Sequence, residues 1–133
     1  MKIQESMENY LETIYVLDQK TGFVRSVDVA TELGFSKPSI SNDMKNLNAE
    51  VYLEIEEKGR IVLTEKGRAV AESTYEKHCV ISHWLMHIGV SRETALEDAC
   101  RMEHILSEET FACMKAHHKK WHELNHEAED AEE

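Results

Sequence analysis

The chain has 133 residues, a hydrophobic content of 41%, a single proline and a formal net charge of −11, which suits one domain or two small ones and a mainly helical fold. No apolar run reaches the length of a membrane span, and Met1-Lys2-Ile3-Gln4-Glu5 lacks the apolar core of a signal peptide, so no membrane partner is expected and a cytoplasmic location is. Three scattered cysteines, Cys79, Cys100 and Cys113, do not make a disulfide framework and fit a reducing compartment.

Charge is unevenly distributed. Residues 1–71 carry nine Lys+Arg and twelve Asp+Glu, a net −3, whereas residues 72–133 carry six and fourteen, a net −8, together with all eight histidines. A near-neutral region 1–71 and a carboxylate- and imidazole-rich region 72–133 suggest two domains with different tasks.

From Ser6, placed as N-cap, to about Gln19, the residues Met7, Tyr10, Leu11, Ile14 and Leu17 recur at helical spacing. The opposite face shows Glu8, Asn9 and Glu12. Asn9 and Glu12 lie one turn apart and could reach a common ion, or simply form a solvated face. After Thr21-Gly22, Ser26 is expected to cap a short helix through Val27, Val29, Ala30 and Leu33, closed by Gly34. Ser36 caps the next helix, with Pro38 in its first turn and Ile40, Met44 and Leu47 facing inward.

Two short helices around a glycine turn read as helix-turn-helix, with a plain helical hairpin as the alternative. The second helix displays Ser36, Lys37, Pro38, Ser39, Ser41, Asn42, Lys45 and Asn46, groups able to enter a major groove. Tyr52 to Glu56 then alternates toward Lys58-Gly59, and Ile61-Val62-Leu63 leads back out as a β-hairpin. Helix-turn-helix plus hairpin is a winged helix. Lys58 and Arg60 fall at the wing tip, and Lys66 and Arg68 follow, where phosphates are expected. Glu54, Glu56 and Glu57 dilute this patch, so non-specific DNA binding should be weak and need an aid.

Thr64 caps a long helix to about His87 whose apolar residues exceed what one winged helix covers, which points to a connecting helix and a subunit interface. His78, His83 and His87 lie on it. Ser91 caps a helix containing Glu97-Asp98-Ala99-Cys100-Arg101-Met102-Glu103-His104, in which Cys100, Glu103 and His104 share one face. Thiolate, carboxylate and imidazole together are half of a transition-metal site; a packed cysteine beside two solvated residues is the plain alternative. Ser107 caps a last helix with a histidine series, His118, His122 and His126, that either forms a polar face or needs a partner segment to hold metal. An acidic tail, expected to fray, starts at Glu127.

With Ser6 to Tyr15, Lys66-Gly67, His78 and Glu97 to Ser107 in this order, the chain resembles the diphtheria toxin repressor family of metal-dependent transcriptional regulators, in a short form without the C-terminal β-barrel domain. The resemblance implies a homodimer in which an N-terminal winged helix binds double-stranded DNA at a palindromic operator, a helical domain dimerises, and a divalent metal acts as corepressor for metal uptake genes. It assigns Glu12, His78, Cys100, Glu103 and His104 as ligands. Asn9 stands at a further ligand position that is methionine in the iron branch and aspartate in the manganese branch. Ser82 and Leu96 replace the carboxylate and histidine of the iron branch's accessory site. Cys100 favours Fe(II), with Mn(II) second. Two rival functions keep some of these features: a thiol redox sensor using Cys79, Cys100 and Cys113, and a helical carboxylate-metal enzyme.

Overall fold

The computed structural model describes the backbone of residues 3–132 and the side chains of residues 5–120. The chain divides into two units, Met1–Tyr75 and Glu76–Glu133. Among the described residues there are six helices and one two-stranded sheet.

The N-terminal unit begins with α1 (Ile3–Thr21), whose apolar stripe buries Leu11 and Ile14 completely. Ser6 is inside this helix rather than its cap. Nothing in Ile3-Gln4-Glu5 breaks a helix, and Glu5 in the first turn complements the helix dipole. α2 (Ser26–Leu33) is capped by Arg25, not Ser26: the Arg25 N–H donates to Asp28 Oδ2 at 2.9 Å, so a carboxylate reaching back starts the helix. Gly34 ends it in the left-handed region at φ 71, a conformation natural to glycine.

α3 (Lys37–Ala49) has Ser36 at its N-cap position and Pro38 in its first turn, and buries Ile40, Met44 and Leu47. β1 (Leu53–Ile55) and β2 (Ile61–Leu63) pair antiparallel, with Leu53 opposite Leu63 and Ile55 opposite Ile61. Val24, fully buried, accepts the Ile61 N–H at 2.7 Å and extends the hairpin by one residue. Leu53, Ile61, Val29 and Ala71 join Leu11, Ile14 and the α3 residues in one apolar core, the mainly α winged helix expected from the sequence.

α4 (Glu65–His87) starts from Thr64, whose Oγ1 accepts the Gly67 N–H at 3.1 Å. Its second half belongs to the C-terminal unit, with α5 (Arg92–Met102) and α6 (Glu108–Glu132). Ser91 and Ser107 cap these two helices through the Thr94 and Thr110 N–H groups. Alanines one turn apart, Ala95 and Ala99, let α5 pack closely on Ile81 and Leu85. Lys77 lies over the Phe111 ring, Glu76 pairs with Lys115, and His83 meets His118; α4 and α6 therefore run in the same direction. The tail expected to fray is helical as far as Glu132. The side chains of His122 and His126 lie outside the described residues.

Candidate metal centre and nucleic-acid interface

The metal-type donors of the C-terminal unit converge because α5 stops early. α5 ends at Met102, and Glu103 is its C-cap. The His104 and Ile105 N–H groups then reach back only three residues, to the Arg101 and Met102 carbonyls at 3.4 and 3.1 Å. This tight turn replaces the continuous helix expected through His104. Glu103 is 1% exposed. Its Oε2 is 3.0 Å from His78 Nδ1, and its Oε1, enclosed in protein, is 3.3 Å from His104 Nε2 without completing a hydrogen bond. Cys100 Sγ stands 3.8 Å from the same His78 nitrogen. One carboxylate is thus held between two imidazoles with a thiol alongside.

The electrostatics favour positive charge at this point. Hydrogen bonding to Cys100 and then to Glu103 raises the His78 pKa from 6.5 to about 10, against the opposing effect of burial. A folded-state value above the ordinary one means that the stability His78 contributes is fully present below pH 6.5 and is lost as pH rises through about 10. In chelator-treated protein the unfolding free energy of wild type should fall toward that of His78→Gln over this window. Parallel pH profiles in urea titrations would contradict the assignment.

Two imidazoles, a thiol and a buried, incompletely bonded carboxylate fit a divalent first-row transition ion. They do not fit calcium or magnesium, whose sites are built from oxygen. Asn9 and Glu12, the other two expected ligands, lie half-buried one turn apart on α1 in the N-terminal unit. Ser82 is buried and its hydroxyl donates to the Cys79 carbonyl at 3.1 Å, while Leu96 is half-buried, so neither contributes an accessory ligand. All three cysteines are free thiols.

On α3 the structure exposes Ser36, Lys37, Pro38, Ser39, Asn42, Lys45 and Asn46, with Ser41 half-buried, opposite the buried Ile40, Met44 and Leu47. Lys58 is exposed in the wing turn, where Gly59 takes φ 80. Arg60 turns back instead, donating to the Gly22 carbonyl at 3.2 Å and lying over the Phe23 ring. Lys66 and Arg68 are also engaged. Lys66 donates to the Glu50 carbonyl at the end of α3 and covers Tyr52, where a cation complements the helix dipole. Arg68 pairs with Glu72. Arg25, not among the groups expected to meet DNA, is exposed and also lies over the Phe23 ring, 5.0 Å from its centroid. The signal for it was a basic residue at the entry to the first helix of the helix-turn-helix, where DNA backbones run.

A winged helix with a polar, partly basic second helix, in one chain with imidazoles and an exposed thiol gathered about the buried Glu103 carboxylate, defines a metal-responsive DNA-binding class of protein. Residues 2–61 match the family described as iron dependent repressor, N-terminal DNA binding domain, and residues 64–131 match iron dependent repressor, metal binding and dimerisation domain. The chain belongs to this iron-dependent, or diphtheria toxin, repressor family, whose members are transcriptional regulators and not enzymes. It is 35% identical over 108 residues to the transcriptional regulator MntR of Escherichia coli, covering 81% of this chain and 70% of that one. To the HTH-type transcriptional regulator MntR of Geobacillus kaustophilus it is 35% identical over 102 residues, 77% of this chain and 72% of that one. The solved manganese regulator SloR matches with a TM-score of 0.73 at 28% identity, over 83% of this chain and 52% of that chain. This chain therefore spans about half the length of that solved structure.

Proposed function

We propose that this chain is a metal-dependent transcriptional repressor that acts as a homodimer on double-stranded DNA in the cytoplasm, at a palindromic operator controlling metal uptake. Residues 1–71 bind DNA, and residues 72–133 bind metal and dimerise. The observation that carries this reading is the buried Glu103 carboxylate between His78 and His104, beside Cys100, in the same chain as a winged helix. Ile88 and Ile105, 57% and 72% exposed, supply apolar surface for a subunit contact.

The ion would be held by His78, Cys100, Glu103 and His104, with Glu12 from α1 and Asn9 at a further position. When bound it supplies the positive charge that these anionic groups need. The Cys100 thiolate supports Fe(II); the names of the similar proteins, among them a manganese regulator, support Mn(II) at least as strongly. Ser36, Lys37, Pro38, Ser39, Ser41, Asn42 and Lys45 enter the major groove and Lys58 meets phosphate, while Arg60 adds charge and anchors the wing to Gly22. Because the whole chain is acidic, DNA affinity depends on placing these few groups well. Holding Glu12 to the C-terminal ligands is what fixes them.

Glu12→Gln tests this directly. The variant should remain folded and dimeric, yet its operator affinity should no longer rise when Fe(II) or Mn(II) is added, a loss of about tenfold or more. Metal-dependent affinity equal to that of wild type, measured by fluorescence anisotropy, would remove Glu12 from the mechanism.

A further inference from the structure

Asn9 and Glu12 lie on α1, whereas the groups that meet the major groove lie on α3, so a signal received by the first helix has to reach the second within the N-terminal unit. Between the N-terminal half of α1 and the C-terminal half of α3 is an open cleft of about 500 Å³, lined by Ser6, Met7 and Tyr10 on one side and by Asp43, Asn46 and Leu47 on the other. Side chains 5–10 are half-buried, and Leu11 is the first along the described part of α1 to be fully buried. Apolar contact across such a cleft fixes neither helix. A hydrogen bond joins its two walls. Tyr10 donates its hydroxyl to Asp43 Oδ2 at 2.6 Å, a short, charge-assisted bond. The Tyr10 ring also meets Phe35 edge to face, with centroids 6.4 Å apart and planes inclined by 79°, and Phe35 lies in the turn between α2 and α3. One side chain of α1 therefore touches both the turn of the helix-turn-helix and its second helix. Tyr10 is next to Asn9 and two residues before Glu12; Asp43 is next to Asn42 and two residues before Lys45, both exposed.

We propose that Tyr10 and Asp43 are positioning residues for the metal response, and that their hydrogen bond transmits the setting of α1 to α3. The inference rests on the reading above, in which the ion holds Glu12. Coupling between sites travels through hydrogen bonds and rigid elements that move as one. The apolar contacts of Leu11 and Ile14 are non-directional and tolerate a small rotation of α1, whereas a hydrogen bond weakens steeply as its angle departs from linear. With the bond made, a displacement of α1 carries α3 along. Without it, the displacement is taken up in the cleft. In this role neither residue needs to touch the ion or a base.

The test measures affinity of the full chain for its own promoter DNA with and without saturating Mn(II) or Fe(II), and takes the ratio of the two. The ratio cancels the change in metal-free affinity that removing an anionic group near DNA brings by itself. Far-UV circular dichroism confirms that each variant is folded, and equilibrium dialysis counts its metal. Tyr10→Phe keeps the ring on Phe35 and should bind as much metal as wild type, yet its ratio should fall by about fivefold or more, a change within the range of coupled sites. Asp43→Ala should do the same, and the double variant should lose no more than either single one, because all three break one bond. Asp43→Asn should restore most of the response, since its amide oxygen still accepts from Tyr10. A wild-type ratio in Tyr10→Phe would overturn the proposal, as would losses that add in the double variant or an Asp43→Asn as deficient as Asp43→Ala. A wild type whose own affinity does not rise with metal would overturn the repressor reading and this inference with it, which separates that failure from the others.

Discussion

Glu103→Gln should abolish the metal response and leave the fold intact. The carboxylate is buried, lies between His78 and His104 at 3.0 and 3.3 Å, and has one oxygen without a completed hydrogen bond. Glutamine has the same shape but no charge, so it can occupy the space without attracting a divalent ion. Metal affinity should fall by at least about 100-fold, more than the loss of a supporting hydrogen bond would cause. The fold should survive because removing a buried charge also removes its desolvation penalty. His78 would keep Cys100 but lose Glu103, the second of the two partners that raise its pKa, and its pKa would fall. Anaerobic calorimetric titration with Fe(II) and Mn(II) measures the first effect, and proton NMR titration of the histidines the second. Wild-type metal affinity in the variant would show that Glu103 is only a structural partner of the two imidazoles.

Gly67→Ala should have the largest effect on stability. Thr64 is tied to the start of the wing twice, its N–H donating to the Tyr52 carbonyl and its hydroxyl to the Val51 carbonyl, and this draws the first turn of α4 onto β1. A Cβ at Gly67 would land inside the van der Waals envelope of the Tyr52 carbonyl oxygen. That oxygen is backbone and cannot rotate away, so the hairpin or the helix must shift. An exposed helical glycine replaced by alanine gains roughly 1 kcal/mol. Here the sign should reverse, with a loss of about 3 kcal/mol or more, read from the urea midpoint. A variant as stable as wild type would mean that the wing is not held in the observed position.

How far such features are readable from the residues differs between the two units. The winged helix announces itself because its boundaries are set by residues with one dominant use: Gly34 in the left-handed region, Ser36 and Pro38 at a helix start, Gly59 in the hairpin turn. Ser6 and Ser26 misled for the opposite reason. Serine is only one of several ways to start a helix, and here an extended α1 and the Asp28 carboxylate took its place. The pairing of Val24 with Ile61 involves a single residue, which leaves no periodicity to detect. Arg60 was expected at the wing tip, and its return to Gly22 and Phe23 depends on the path of a loop 38 residues earlier in the chain.

At the site, helical spacing brought Cys100, Glu103 and His104 to notice, while the tight turn at Glu103 was hidden because no glycine or proline marks it. Twenty-five residues separate His78 from Glu103, so their meeting rests on the packing of α4 against α5 through Ala95 and Ala99. Only the family resemblance pointed to it. The pairing of His83 with His118 had no sequence signal beyond the unexplained histidine series itself.

Control of DNA affinity by a divalent ion at the Glu103 centre is the claim on which the rest depends. The most direct measurement is a parallel anaerobic titration of metal-free protein with Fe(II), Mn(II) and Zn(II), reading bound metal per subunit and affinity for the protein's own promoter DNA on the same samples. Fe(II) or Mn(II) should raise promoter affinity in step with filling of the site. Metal that binds while promoter affinity stays constant would contradict the corepressor function and leave the cluster a structural one.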